Sequence, residues 1–67
     1  MAPEQIAAKM TPAQVRALRY PMGNHQFATI WVIFSRFGLI SGWPYGERIR
    51  TPIGLAVLAA LDKGAAT

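Results

Sequence analysis

The chain contains no cysteine and only three acidic residues. The absence of cysteine excludes a disulfide framework and a thiolate zinc site. The acids Glu4, Glu47 and Asp62 are far apart in the sequence and His25 is the single histidine, so a metal site or a catalytic triad would lack ligands. No glycine-rich phosphate loop opens a helix either. The sequence therefore predicts a protein that is not an enzyme and uses neither a cofactor nor a metal.

Long hydrophobic runs are also missing. The most apolar stretch, residues 27–40, is fourteen residues long and includes Arg36, whereas a membrane-spanning helix needs about 20 mostly uncharged residues. The first residues include Pro3, Glu4 and Gln5 and lack the basic-then-apolar pattern of a secretion signal. We expect a soluble, cytoplasmic protein without a membrane partner.

What the chain does have is a high apolar content. It is 67 residues long, 52% apolar and 15% charged, which is typical of one packed domain rather than of a disordered chain. A chain this short buries only about 60% of the surface that it exposes when unfolded. Formation of a homodimer is therefore expected to supplement the small core, and residues 1–10 and 65–67 are expected to fray.

The charge balance is basic. Seven Lys and Arg residues oppose three acids, for a formal net charge of +4, and residues 5–46 contain no acid at all. This balance favours an anionic partner. The alternative is that a basic surface only keeps a small protein soluble.

Helix starts are marked by proline and by capping residues. Pro3 fits the first turn of a short helix. Thr11 and Gln14 have the spacing of a capping box around Pro12, because each side chain can bond the other residue's backbone N–H. This motif predicts a helix over residues 12–19.

The longest expected helix covers residues 26–37, with Asn24 as its cap and Gly38 in the left-handed position that ends it. At the helical period, six apolar residues share one arc and predict the buried face, with Trp31 in the core. They are Phe27, Ile30, Trp31, Ile33, Phe34 and Phe37. The opposite arc holds His25, Ala28, Thr29, Val32, Ser35 and Arg36.

A hairpin and a last helix complete the chain. Residues 39–43 and 47–50 predict two short strands around a turn. Thr51 and Pro52 then start a helix that ends near residues 63–64, with Gly54 placed for close helix packing. Its expected inward stripe is Ile53, Val57, Leu58 and Leu61. The fold class is therefore mainly α with a small β-hairpin, built from three to four helices.

Several of these pieces resemble winged helix-turn-helix DNA-binding domains. The pieces are the helix start at residues 11–14, the aromatic-Gly-Leu-Ile sequence at 37–40, the basic hairpin at 43–50 and the Arg-Thr-Pro-x-Gly sequence at 50–54. The resemblance covers residues 11–61. It implies one winged-helix domain over residues 1–67, with a recognition helix at 26–37 and a wing at 43–50. The short segment 21–25 departs from the family, which has a separate helix there.

The resemblance implies a small regulator that binds double-stranded DNA. Gln26, Thr29 and Arg36 would then read bases in the major groove. Arg48 and Arg50 on the wing would contact phosphates, as would Arg16 and Arg19 on the preceding helix. The alternative to DNA contact is that the helix residues only form a solvated surface. For the arginines on the hairpin, the alternative is that they only place charge on a sheet edge.

A second hypothesis is a protein-interaction module with the same fold. Trp43 and Tyr45 lie beside a turn where burial is difficult, so they are candidates for an exposed partner-binding anchor. Such a module would act as an inhibitor or adaptor, and its size is similar to that of accessory proteins encoded by phages. The sequence leaves both hypotheses open.

Overall fold

The computed structural model describes residues 2–65. These residues form a mainly helical fold with a small antiparallel hairpin, as the sequence predicts. In chain order the elements are α1 Pro3–Lys9, α2 Pro12–Arg19, α3 Phe27–Trp31, a π-helical segment Val32–Arg36, β1 Ile40–Ser41, β2 Ile49–Arg50 and α4 Pro52–Ala65. None of the helices in the described part of the chain has the length and apolar character needed to cross a bilayer.

The expected helix starts at Pro3 and Pro12 are both confirmed. At α2 the Gln14 N–H donates to Thr11 Oγ1 at 3.2 Å and the Thr11 N–H donates to Gln14 Oε1 at 3.1 Å, which completes the capping box. Ile6 of α1 is buried against the rest of the core. Residues 3–9 are therefore helical and anchored by Ile6, fraying of residues 1–10 stays a prediction, and residues 66–67 lie outside the described range.

The helix expected over residues 26–37 is observed, but its form differs in two ways. It begins at Phe27 after an extended Gln26, and Asn24 is not its cap. The helix begins later than expected because residues 20–26 form a turn. A 2.8 Å hydrogen bond between His25 Nε2 and the Tyr20 carbonyl oxygen closes this turn. The second half is π-helical, since the Phe37 N–H bonds the Val32 carbonyl five residues back. A π turn holds about one residue more than an α turn.

The hairpin is shorter than the sequence predicts. Ile40 pairs with Arg50 and Ser41 pairs with Ile49, and no further pairs extend the ladder within residues 2–65. Gly42 has a φ of +89° and its carbonyl accepts from the Gly46 N–H at 2.7 Å. This bond turns the chain immediately after β1, so residues 42–48 form a loop.

The core lies among α1, α2, the helical segment of residues 27–36, β1 and α4. Its buried apolar side chains are Ile6, Ala17, Leu18, Ile30, Ile33, Leu39, Ile40 and Val57. The expected inward stripe of α4 is confirmed, because Val57 is fully buried while Ile53, Leu58 and Leu61 pack against this cluster. Six apolar residues of the long helix were expected to be buried. Only Ile30 and Ile33 reach full burial, since a domain this small covers only the centre of the helix arc.

The start of α4 is attached to the turn that follows the π segment. Thr51 Oγ1 donates to the Gly38 carbonyl at 2.6 Å and accepts from the Gly54 N–H at 3.1 Å. The Thr51 N–H also donates to the Leu39 carbonyl at 3.0 Å. Gly54 is buried here, and a Cβ at this position would overlap the Leu39 carbonyl oxygen. The expected role of Gly54 in close packing is confirmed.

Gly38 ends the helical segment with a φ of +66°, as expected. A side chain at Gly38 would meet no atom within 4 Å, so a substitution tests the backbone conformation alone. We expect Gly38→Val to lower the free energy of unfolding by about 1–2 kcal/mol, as measured by chemical denaturation, because L-residues disfavour the left-handed region. Gly38→Asn is the control and should lose less. Equal stability of the valine variant and the wild type would contradict this assignment.

Candidate functional site

Arg48 and Arg50 bind the C-terminal end of α2 and the turn that follows it. Arg50 donates from Nε to the Leu18 carbonyl at 2.8 Å and from Nη2 to the Arg19 carbonyl at 2.6 Å. Arg48 donates from Nη1 to the carbonyls of Pro21 at 2.7 Å and Gly23 at 3.0 Å. Carbonyls at a helix end have no intrahelical partner and carry partial negative charge. Arg50 therefore caps α2, and Arg48 holds the turn that follows it.

This arrangement changes the interpretation of the wing. The two arginines do share one side of the hairpin, as alternation around Ile49 indicated, but that side faces the end of α2. Their guanidinium groups are partly buried and bonded to backbone oxygens. Their observed role is to hold the hairpin onto α2.

Three of the expected DNA-binding residues meet in a polar cleft. The cleft has a volume of about 260 Å³ and lies between α2 and the start of α3. Its lining residues are Ala13, Arg16, Asn24, His25, Gln26 and Thr29. Arg16 is exposed and forms no ion pair with any carboxylate in residues 2–65. The cleft therefore offers one free cation together with uncharged hydrogen-bonding groups.

The other two expected DNA contacts lie outside this cleft. Arg19 forms a 2.8 Å ion pair with Asp62 of α4, so its charge is neutralised. Arg36 is exposed at the end of the π segment, with its guanidinium carbon 5.9 Å from the centre of the Phe37 ring. The structure thus divides the seven expected DNA-binding residues among the cleft, an ion pair, a helix cap and the end of the π segment.

The most prominent surface feature is a group of four aromatic rings, which we call the aromatic surface. It consists of Phe27, Trp31, Phe34 and Trp43. Trp43 is the centre, with ring centroids 5.2 Å from Phe27, 6.1 Å from Trp31 and 5.5 Å from Phe34. Phe27 and Trp31 also stack on each other at 6.4 Å. Edge and offset contacts at these distances are favourable, so the rings hold one another in place.

The aromatic surface is open to solvent. Phe27 is 70% exposed and Trp31 is 49% exposed, whereas Phe34 and Trp43 are partly buried beneath them. The prediction that Trp31 fills the core is therefore wrong. Trp43 was expected to be an exposed anchor, but it is partly buried and packs against the core cluster as well as against the other rings.

Tyr45 is 99% exposed in the hairpin loop, which confirms its expected exposure. None of the ring contacts in the described part of the chain involves Tyr45. The sequence interpretation missed Phe27 and Trp31 as surface residues, whereas Phe34 packs against the core cluster as expected. The spacing of four residues between Phe27 and Trp31 was the available signal, but the same spacing is typical of a buried stripe.

A separate apolar groove lies between α1, α2 and α4. It has a volume of about 700 Å³ and is lined mainly by small or aliphatic side chains, with three charged residues among them. The lining consists of Glu4, Ala7, Ala8, Val15, Arg19, Ala60, Leu61, Lys63 and Gly64.

Comparison with known proteins identifies no relative of this chain. No family model, no curated protein and no solved structure matches it.

Proposed function

We propose that this protein is a non-enzymatic interaction module that binds a protein partner through the aromatic surface. The observation that carries the proposal is the exposure of Phe27 and Trp31, at 70% and 49%, within a cluster of four rings in contact. Contiguous exposed apolar patches on small proteins mark interaction sites. Tryptophan is also among the residues that contribute most to binding at protein interfaces.

The mutual contacts of the rings strengthen this proposal. A side chain that is already held in place loses little conformational entropy when a partner binds, so more of the burial energy contributes to affinity. Phe27 is held by Trp31 on one side and by Trp43 on another. The aromatic surface is therefore a pre-organised contact region formed by α3, the π segment and the hairpin loop.

Binding to double-stranded DNA is the second candidate function. It is favoured by the polar cleft, where Arg16, Gln26 and Thr29 lie together at the start of α3. In helix-turn-helix domains the first residues of the recognition helix contact base edges, and the winged-helix resemblance supports the same use here. The engagement of Arg48 and Arg50 by backbone carbonyls weighs against it, because it removes two expected phosphate contacts.

Selection from a library of random peptides displayed on phage tests the first candidate. We expect wild-type protein to enrich peptides whose binding is lost in a Phe27→Ala, Trp31→Ala double variant, because truncation of central aromatic residues costs about 2 kcal/mol or more of binding energy. Leu55→Ala is the matched control, since Leu55 is a comparably exposed apolar residue on α4. Peptides that bind wild type and the double variant equally would contradict the proposal.

Titration of a labelled random duplex at two salt concentrations tests the second candidate. If the cleft contacts a phosphate, wild-type affinity should fall as salt rises, and Arg16→Ala should reduce the salt slope by about one unit. Arg36→Ala tests base recognition, with an expected loss of about 1–3 kcal/mol at a preferred site. Affinity that is absent at both salt concentrations would remove DNA binding and leave the aromatic surface as the functional site.

A further inference from the structure

We infer that the polar cleft is a binding site for a phosphate group, which is held by Arg16 together with three uncharged side chains. These are Asn24, Gln26 and Thr29. The site goes beyond the proposed function, because the cleft and the aromatic surface share no residue. The phosphate belongs either to a small phosphorylated molecule or to a nucleic-acid backbone, and the experiment distinguishes these two sources.

Arg16 supplies the positive charge of the cleft. Its side chain is exposed and is not paired with a carboxylate within residues 2–65. None of the lining residues is acidic, and residues 5–46 contain no acid at all. The forked N–H donors of a guanidinium group match two oxygens of a phosphate. The cleft therefore presents a positive charge that the described chain leaves uncompensated.

The uncharged polar side chains of the cleft are not used inside the protein. Asn24, Gln26 and Thr29 form no side-chain hydrogen bond among the described residues. Gln5 and Gln14 also lie at helix starts, but each of them accepts a hydrogen bond from a backbone N–H there. Amide and hydroxyl groups donate hydrogen bonds. The donors of the cleft are therefore available to the oxygens of a ligand.

The turn that follows α2 carries one side of the cleft, and it is fixed by contacts within the protein. Arg48 donates to the carbonyls of Pro21 at 2.7 Å and Gly23 at 3.0 Å. His25 Nε2 donates to the Tyr20 carbonyl at 2.8 Å, since a carbonyl oxygen only accepts. A site whose backbone is already ordered loses little entropy when a ligand binds.

The size and polarity of the cleft limit its occupant. Its volume of about 260 Å³ lies below the range of about 300–1,000 Å³ that is typical of sites for drug-sized ligands. Of its described lining residues only Ala13 is apolar. The cleft therefore fits a phosphate group and the few atoms that carry it, while the rest of the phosphorylated molecule stays outside.

Titration with inorganic phosphate, followed by NMR, tests the site. His25 is the single histidine of the chain and lines the cleft, so its ring signals report occupancy. At constant pH, we expect phosphate to shift these signals in a saturable way, with a dissociation constant in the millimolar range. Chloride at equal ionic strength should leave the signals in place.

Variants identify the groups that hold the phosphate. Arg16→Gln should weaken phosphate binding at least about tenfold, because hydrogen bonds to a charged partner are the stronger ones. Thr29→Val keeps the shape of the side chain without its hydroxyl and should weaken binding about threefold. Arg36→Gln is the matched control, because Arg36 is also exposed and unpaired within residues 2–65 but lies outside the cleft. It should change the affinity less than about twofold.

Glycerol 1-phosphate and a short random DNA duplex without terminal phosphates distinguish the two sources. If the ligand is a small phosphorylated molecule, glycerol 1-phosphate should bind at least as tightly as inorganic phosphate, and the duplex should not shift the His25 signals. If the ligand is a nucleic-acid backbone, the duplex should shift them at much lower concentration, and Arg16→Gln should remove the shift. Either result supports a phosphate site in the cleft.

Two results would overturn the inference. Shifts that do not saturate, or that are equal with chloride, would show a general effect of salt without a site. Equal losses in Arg16→Gln and Arg36→Gln would show that affinity follows net charge rather than the cleft. The proposed function is tested separately, because the Phe27→Ala, Trp31→Ala double variant should bind phosphate as wild type does.

Discussion

Gly54→Ala is expected to lower the free energy of unfolding by about 3 kcal/mol, at the upper end of the usual cost of overpacking. A methyl group at Gly54 would overlap the carbonyl oxygen of Leu39, and the nearby Leu39 atoms all belong to the backbone. A backbone carbonyl cannot rotate away as a side chain can. The start of α4 would have to move from the turn to which Thr51 binds it.

This loss would be a large part of the total stability, which is on the order of 3–10 kcal/mol for a domain of this size. The measurement is urea denaturation followed by the fluorescence of Trp31 and Trp43. Gly64→Ala is the matched control in the same helix, because a Cβ there would meet no atom within 4 Å. That variant should be neutral or slightly more stable. A Gly54→Ala variant as stable as wild type would contradict the close approach of α4 to Leu39.

Replacement of Arg48 and Arg50 together by alanine is expected to cost about 3–4 kcal/mol of stability. The change removes four hydrogen bonds from charged donors to carbonyls at and beyond the end of α2. Hydrogen bonds with a charged partner contribute more than neutral ones, and carbonyls that lose their donors in a partly buried site are costly. The single Arg50→Ala variant should lose about 2 kcal/mol by the same reasoning.

Two controls distinguish the loss of these hydrogen bonds from a general effect of removing positive charge. Arg36→Ala removes an exposed arginine that bonds no backbone carbonyl in the described part of the chain, so its effect should stay within about 0.5 kcal/mol. Arg50→Lys keeps the charge but cannot present the same planar pair of donors to Leu18 and Arg19, so it should recover only part of the loss. Unchanged melting of the double alanine variant would show that the two arginines are free for an external phosphate, as the wing interpretation requires.

The features that could be predicted from the sequence depend on interactions between near neighbours in the chain. The capping box of Thr11 and Gln14 needs only residues three apart, and it is observed with both of its bonds. Gly38 was expected in the left-handed region because glycine is the residue that adopts it at least cost, and its φ is +66°. The stripe of α4 followed from the helical period. These signals were enough for the fold class and for most element boundaries.

The candidate site depends instead on contacts between distant segments. Arg48 reaches carbonyls 25 and 27 residues away, and no local pattern distinguishes this from an arginine that faces a phosphate. Phe27 and Trp31 have the spacing of core residues, yet they remain exposed because the small core is already filled around Ile30 and Ile33. Periodicity specifies which side chains share a helix face, but it does not specify whether another segment covers that face.

The sequence by itself therefore determined the helix starts at Pro3, Pro12 and Pro52, the capping box of Thr11 and Gln14 and the mainly α class, because each of these depends on residues that are close together in the chain. Tertiary structure decided which cations remain free and which aromatic rings remain exposed. Burial and pairing depend on which segments meet in space, and a core formed by 67 residues is too small to cover every apolar face that its helices present.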